Sequence, residues 1–95
     1  MNFQEFNQSL SASAPPPDFN IPLQALWHDA KGAWHTAHAL VQNHQDAHSC
    51  RVHAFLHREE GDLGNANYWY KRAGKTMPNG SLRQEWETIV KELID

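Results

Sequence analysis

The sequence is poor in cysteine and in uninterrupted apolar runs. Cys50 is the only cysteine, so no disulfide can form within the chain, and this favours a reducing, cytoplasmic location. No apolar stretch approaches the length of a transmembrane helix, and residues 1–6 lack the basic start and apolar core of a secretory signal. We therefore expect no membrane insertion and no secretion.

Positive charge is also scarce. Eight lysines and arginines against eleven acidic residues give a net charge of -3, so we expect no nucleic-acid partner. The seven histidines are unusual for this length, because protonating all seven would move the net charge from -3 to +4. Solubility and self-association should therefore depend on pH between about 5 and 7.

Recognisable catalytic motifs are missing as well. The turn Gly61-Asp62-Leu63-Gly64 lacks the lysine and the preceding strand of a phosphate-binding loop. Cys50 and His53 have the spacing of a nucleophile and its base, but we expect this cysteine to be a small packing residue on an interior helix face. The sequence therefore predicts no catalytic residue and no cofactor.

The first twenty residues differ in pattern from the rest. Phe3, Phe6 and Leu10 have the spacing of one face of a short helix, and the prolines at 15–17 favour extended backbone. We interpret residues 1–20 as an N-terminal arm with a proline-rich spacer, and residues 21–95 as a helical domain. The phenylalanines should cover an apolar patch, either on their own chain or on the mate in a homodimer.

The remaining sequence predicts an all-α domain of five helices, over residues 22–31, 33–44, 47–60, 63–73 and 82–94. Asp46 and Ser81 are typical N-caps, and Gly61 and Gly74 are typical residues at helix ends. No segment alternates between apolar and polar residues over a length that would predict a strand.

Two of the predicted helix pairs are similar to each other. At an offset of 29 residues, four positions of the first pair are identical to four of the second, namely Ala25, His28, Gly32 and Ala37 with Ala54, His57, Gly61 and Ala66. Repetition at such a period is typical of stacked helix pairs. The second copy resembles a tetratricopeptide repeat in the order of Ala54, Gly61-Asp62, Ala66, Tyr70, Ala73 and Pro78. This resemblance implies two helical hairpins in a right-handed array, with the last helix as a cap.

Residues 25–90 also resemble a family of small, mostly bacterial proteins of uncharacterised function. The shared segments are Ala25–Trp27, Ala37–Gln42, Val52–Arg58, Gly61–Gly74 and Glu85–Trp86. This resemblance implies a fold rather than an activity. Candidate functional residues must therefore come from the chemistry of the side chains.

His53 and His57 are four residues apart, so both project from one side of the third predicted helix. We expect packed core histidines and no bound metal. The alternatives are a polar ligand pocket or a pair of metal ligands, with the third ligand supplied by Cys50, His28 or Asp62. The glutamate that follows the first histidine in zinc hydrolases is replaced by Ala54.

Asn65, Trp69 and Arg72 line one side of the fourth predicted helix, with Tyr68 beside them. This group suits a ligand with a polar group and an apolar face, or a partner helix. Alternatively, Trp69 packs against the last helix and Arg72 pairs with a carboxylate.

The favoured interpretation is a non-catalytic module that binds a protein or peptide on the concave face of a short repeat stack. The candidate binding residues are His53, His57, Asp62, Asn65, Tyr68, Trp69 and Arg72. The alternative is a small-molecule or metal-binding protein, or an enzyme, that uses His53 and His57.

Overall fold

The computed structural model describes residues 1–94, which form six helices and no strand. This confirms the all-α class. The helices are α1 (Phe3–Ser9), α2 (Ile21–Ala30), α3 (Trp34–Val41), α4 (Ala47–Glu59), α5 (Leu63–Arg72) and α6 (Leu82–Leu93). Within residues 1–94, no helix has both the length and the apolar character needed to cross a bilayer.

The predicted helix bounds differ most from the structure at the end of α3. This helix stops at Val41, three residues before the predicted end, and the His44 amide bonds back to the Val41 carbonyl in a tighter turn. Residues 42–48 are exposed, so no apolar contact favours a longer helix there.

A three-residue turn with glycine in the middle joins α2 to α3, and another joins α4 to α5. Gly32 between α2 and α3 has a φ of 83°, and Gly61 between α4 and α5 has a φ of 89°. A side chain would strain this left-handed backbone, so both glycines are needed for the sharp reversal. Asp46 and Ser81 cap α4 and α6 as predicted, by accepting hydrogen bonds from the Ser49 and Gln84 amides.

The core is built around α4, which packs against α2, α3, α5 and α6. From Ser49 to His57, every residue of α4 except Arg51 is buried. The N-terminal segment joins this core on its own chain, because Phe6 is fully buried against the rings of Phe19 and Trp86, at centroid distances of 5.6 and 5.7 Å. A homodimer through this segment stays a prediction.

A buried carboxylate ties three helices together. Glu85 of α6 accepts a hydrogen bond of 2.5 Å from the Tyr70 hydroxyl of α5 and one of 2.8 Å from the Arg58 guanidinium of α4. Burial, followed by the contact with Glu85, raises the pKa of the Tyr70 hydroxyl. The carboxylate is therefore both paired and hydrogen-bonded, as a buried charge requires.

Ala66 is the most direct test of the contact between α4 and α5. Ala66 and Ala54 are fully buried in one cluster with Tyr70. Ala66→Leu should overpack this cluster and lower the free energy of unfolding by roughly 1–3 kcal/mol, measured by urea denaturation. Ala39→Leu on the exposed side of α3 is the matched control, with an expected change within about 0.5 kcal/mol. Equal stability of the two variants would contradict the close helix contact.

Candidate functional site

Three histidines meet where α3 packs against α4. His38 comes from α3, and His53 and His57 come from successive turns of α4. Each offers one ring nitrogen, and the three nitrogens lie within 4.8 Å of one another. We call these residues the histidine cluster. His53 and His57 are 3% and 6% exposed, as predicted, and His38 is half-buried.

His38 is the member that sequence reasoning missed. Its ring centroid lies 4.7 Å from that of His53 and 5.2 Å from that of His57. The cause is the packing of α3 against α4, which brings His38 to the two histidines of α4. The signal was present in the sequence, because His38 is four residues after Trp34 and three before Val41, within the apolar stripe.

Two tryptophans hold the cluster from either side. Trp34 stacks on His38 with a centroid distance of 5.0 Å, and Trp69 of α5 stacks on His53 at 4.0 Å. The Trp34 indole is itself fixed by a hydrogen bond of 2.9 Å from Nε1 to the Leu56 carbonyl. The alternative placement of Trp69 against the last helix is therefore wrong, since this ring packs on α4.

Two of the three histidines resist protonation. Burial, followed by the neighbouring His38 and His57, lowers the pKa of His53 to about 4. Burial and His57 also lower the pKa of His38. Neutral imidazoles keep one ring nitrogen free of a proton, so the cluster can accept a hydrogen bond or bind a metal ion.

The hydrogen bonds of the cluster are unevenly satisfied. Nδ1 of His57 lies 2.7 Å from the Glu60 carboxylate, which orients this ring. Nδ1 of His53 is buried and has no hydrogen-bond partner among the described residues. An unpartnered buried polar atom is rare in folded proteins and points to a ligand or a functional role.

The third ligands considered from the sequence lie elsewhere or have other roles. The Cys50 thiol faces the carbonyls of His44 and Gln45, at 3.9 and 3.6 Å. The Asp62 carboxylate caps α5 by accepting from the Asn65 amide at 3.2 Å, although it also lies near His57 and Glu60. Asn65 itself is exposed.

Arg72 lies on the exposed side of Trp69. Its guanidinium is 5.4 Å from the Trp69 ring centroid and 5.7 Å from that of Tyr68. It donates hydrogen bonds to the Tyr68 hydroxyl, at 3.3 Å, and to the Gln45 side-chain carbonyl. The carboxylate partner considered from the sequence is not present within residues 1–94. All its partners there are neutral.

Comparison with protein-family models, with curated proteins and with solved structures finds no match to this chain. The resemblances to tetratricopeptide repeats and to the small bacterial family therefore stay predictions. A proposal for function must rest on the geometry of the site itself.

The pKa of His53 predicts a specific loss of stability in acid. The unfolded imidazole titrates near 6.5 and the folded one near 4, so between these values the unfolded chain binds more protons. His53 should therefore reduce the free energy of unfolding by up to about 2 kcal/mol as the pH falls from 7 to 5. Urea denaturation at both pH values, with a chelator present, measures this loss.

His53→Gln is the control for this measurement, because it removes the titrating group. Glu59 titrates with the opposite sign, since burial and the nearby Asp29 raise its pKa and favour the folded state in acid. Because Glu59 is present in both proteins, its contribution cancels when the stability loss of the variant is subtracted from that of the wild type. A variant that loses as much stability in acid as the wild type would contradict a buried neutral His53.

Proposed function

We propose that the protein is a non-catalytic binding module that captures an acidic peptide or partner helix. Its binding surface is the face of α3 and α5 formed by Trp34, His38, Tyr68, Trp69 and Arg72, which we call the aromatic–arginine face. The observation that carries the proposal is the state of Arg72, an exposed guanidinium that stacks on two rings and bonds only to neutral groups.

Two of the other three arginines are already neutralised, whereas Arg83 lies over the single ring of Trp86 with no carboxylate partner among the described residues. Arg51 pairs with Glu92, and Arg58 pairs with Glu85 at 2.8 Å. Arg72 has no such partner within residues 1–94, so its positive charge is available to a carboxylate from outside. Its planar fork suits a carboxylate that binds through both oxygens.

The rings around Arg72 favour an apolar group next to that carboxylate. Tyr68 is 53% exposed, and Trp34 and Trp69 are partly buried. Exposed aromatic rings beside an arginine are typical of the energetic centre of protein interfaces. The partner expected is therefore a segment in which aspartate or glutamate adjoins an aromatic or aliphatic residue.

We also propose that the two hairpins are tetratricopeptide-like repeats, because their glycine turns recur at the 29-residue offset. The Gly32 and Ala33 amides bond to the Asp29 and His28 carbonyls. At the same offset of 29 residues, the Gly61 and Asp62 amides bond to the Arg58 and His57 carbonyls. In stacks of such hairpins, successive repeats offer one continuous surface to a peptide.

Selection from a random peptide library displayed on phage tests this proposal without a known partner. Immobilised wild-type protein should enrich peptides in which an acidic residue adjoins an apolar one. Their binding, measured with synthetic peptides by calorimetry, should weaken at least about tenfold in Arg72→Gln, because a charge-assisted hydrogen bond contributes about 1.5–3 kcal/mol.

Lys71→Gln is the matched control, because it removes one exposed positive charge from the neighbouring position. Peptide affinity should stay within about twofold of wild type in this variant, since an exposed charge contributes little. Selected peptides without acidic residues, or equal losses in the two variants, would contradict a role for Arg72 in recognition.

A further inference from the structure

The histidine cluster has the composition and spacing of a transition-metal site. Tetrahedral zinc binds imidazole nitrogens at about 2.0–2.1 Å, which places the nitrogens about 3.4 Å apart. The three nitrogens of the cluster lie within 4.8 Å of one another. Closing round an ion therefore requires side-chain shifts on the order of 1 Å, which small rotations of the rings can supply.

The groups around the cluster match those found around metal-binding histidines. Such a histidine usually gives its second ring nitrogen to a carboxylate, which fixes the ring and raises its basicity. Glu60 meets Nδ1 of His57 at 2.7 Å, and this leaves Nε2 for a metal. His38 and His53 are held instead by the stacked indoles of Trp34 and Trp69.

The unpartnered Nδ1 of His53 is a second, independent observation in favour of metal binding at the cluster. This side chain is 3% exposed, and its Nδ1 has no hydrogen bond to any described residue. Metal coordination at either nitrogen of His53 leaves the other as an N–H, so binding also fixes which nitrogen carries the proton. The ring of His53 therefore has a nitrogen that is free to coordinate a metal ion.

We propose that His38, His53 and His57 bind one divalent transition-metal ion of the zinc type. Three imidazole nitrogens favour Zn²⁺, Co²⁺ and Ni²⁺ over Mg²⁺ and Ca²⁺, which prefer oxygen ligands. Three protein ligands leave the fourth position of a tetrahedral ion open to water or to an exogenous ligand. This site shares His38 with the aromatic–arginine face, but it is tested by metal binding and the peptide proposal is tested at Arg72, so either can fail without the other.

A second set of possible ligands shares His57 and combines it with Glu60 and Asp62. Both carboxylates are exposed, and that of Asp62 already accepts the hydrogen bond that caps α5. Replacement of His38 should weaken metal binding at the histidine cluster but not at the second set, because His38 belongs only to the cluster.

The test is titration of the full chain, freed of metal by a chelator, with Zn²⁺ in a calorimeter and with Co²⁺ followed by its visible absorption. Wild type should bind one ion per chain, and Co²⁺ should show the intense bands of tetrahedral coordination. Zn²⁺ at about 100 times its dissociation constant should raise the melting temperature by about 10 °C or more.

His38→Gln is the decisive variant, because His38 is only half-buried and its loss leaves the core intact. Glu60→Gln removes a carboxylate that only orients a ligand, so it should lower Zn²⁺ affinity by about 10–100-fold. His38→Gln removes a ligand itself and should lower Zn²⁺ affinity by more. His35→Gln and His48→Gln, both at exposed positions, should bind as wild type does. Melting in chelator verifies that each variant is folded.

Three results would overturn the proposal. The first is wild-type affinity for Zn²⁺ in His38→Gln, which would move the ion to His57, Glu60 and Asp62. The second is an equal loss in His35→Gln or His48→Gln, which would indicate diffuse binding by surface histidines. The third is the absence of stoichiometric binding by the wild-type chain.

Discussion

The burial of α4 is the constraint on which the rest of the structure depends. Val52, Phe55 and Leu56 of this helix lie in the main core, and Ala54 lies in the smaller cluster with α5. Each buried apolar side chain of the larger kind contributes about 1.5–3 kcal/mol. Because α4 is covered on nearly every side, its residues Ser49, His53 and His57 are buried too, and buried polar atoms usually require hydrogen-bond partners.

Two buried polar groups differ in how completely their hydrogen bonds are satisfied. The Glu85 carboxylate has two donors, from Arg58 and Tyr70, and links α6 to α4 and α5. His53 has a stacking partner in Trp69 but no hydrogen bond at Nδ1 from any described residue. The first arrangement stabilises the fold by itself, whereas the second leaves a free nitrogen on which the proposed metal site is based.

Local sequence signals were sufficient for the helices and for part of the site. The Asp46 and Ser81 caps and the glycines at 32, 61 and 74 act within a few residues of the chain, and the structure has each of them at a helix boundary. The burial of His53 and His57 also followed from spacing, because they share a helix face with Cys50 and Ala54.

The contacts between helices could not be predicted in this way. Arg58 and Glu85 are 27 residues apart, as are Arg72 and Gln45, and no local pattern specifies such pairs. His38 joins the cluster only because α3 docks on α4, and Trp69 reaches His53 only because α5 packs on the other side. These contacts depend on how the helices pack, and a single sequence carries little information about it.

X-ray absorption spectroscopy of the zinc-loaded chain tests most directly whether α3 and α4 together build a metal site. The account predicts multiple scattering from three imidazoles, with nitrogens at about 2.0–2.1 Å and one further light ligand. In His38→Gln, the imidazole count should fall to two. A first shell with one imidazole and mainly carboxylate oxygens in the wild-type protein would contradict the account and assign the ion to the exposed acidic residues beside His57.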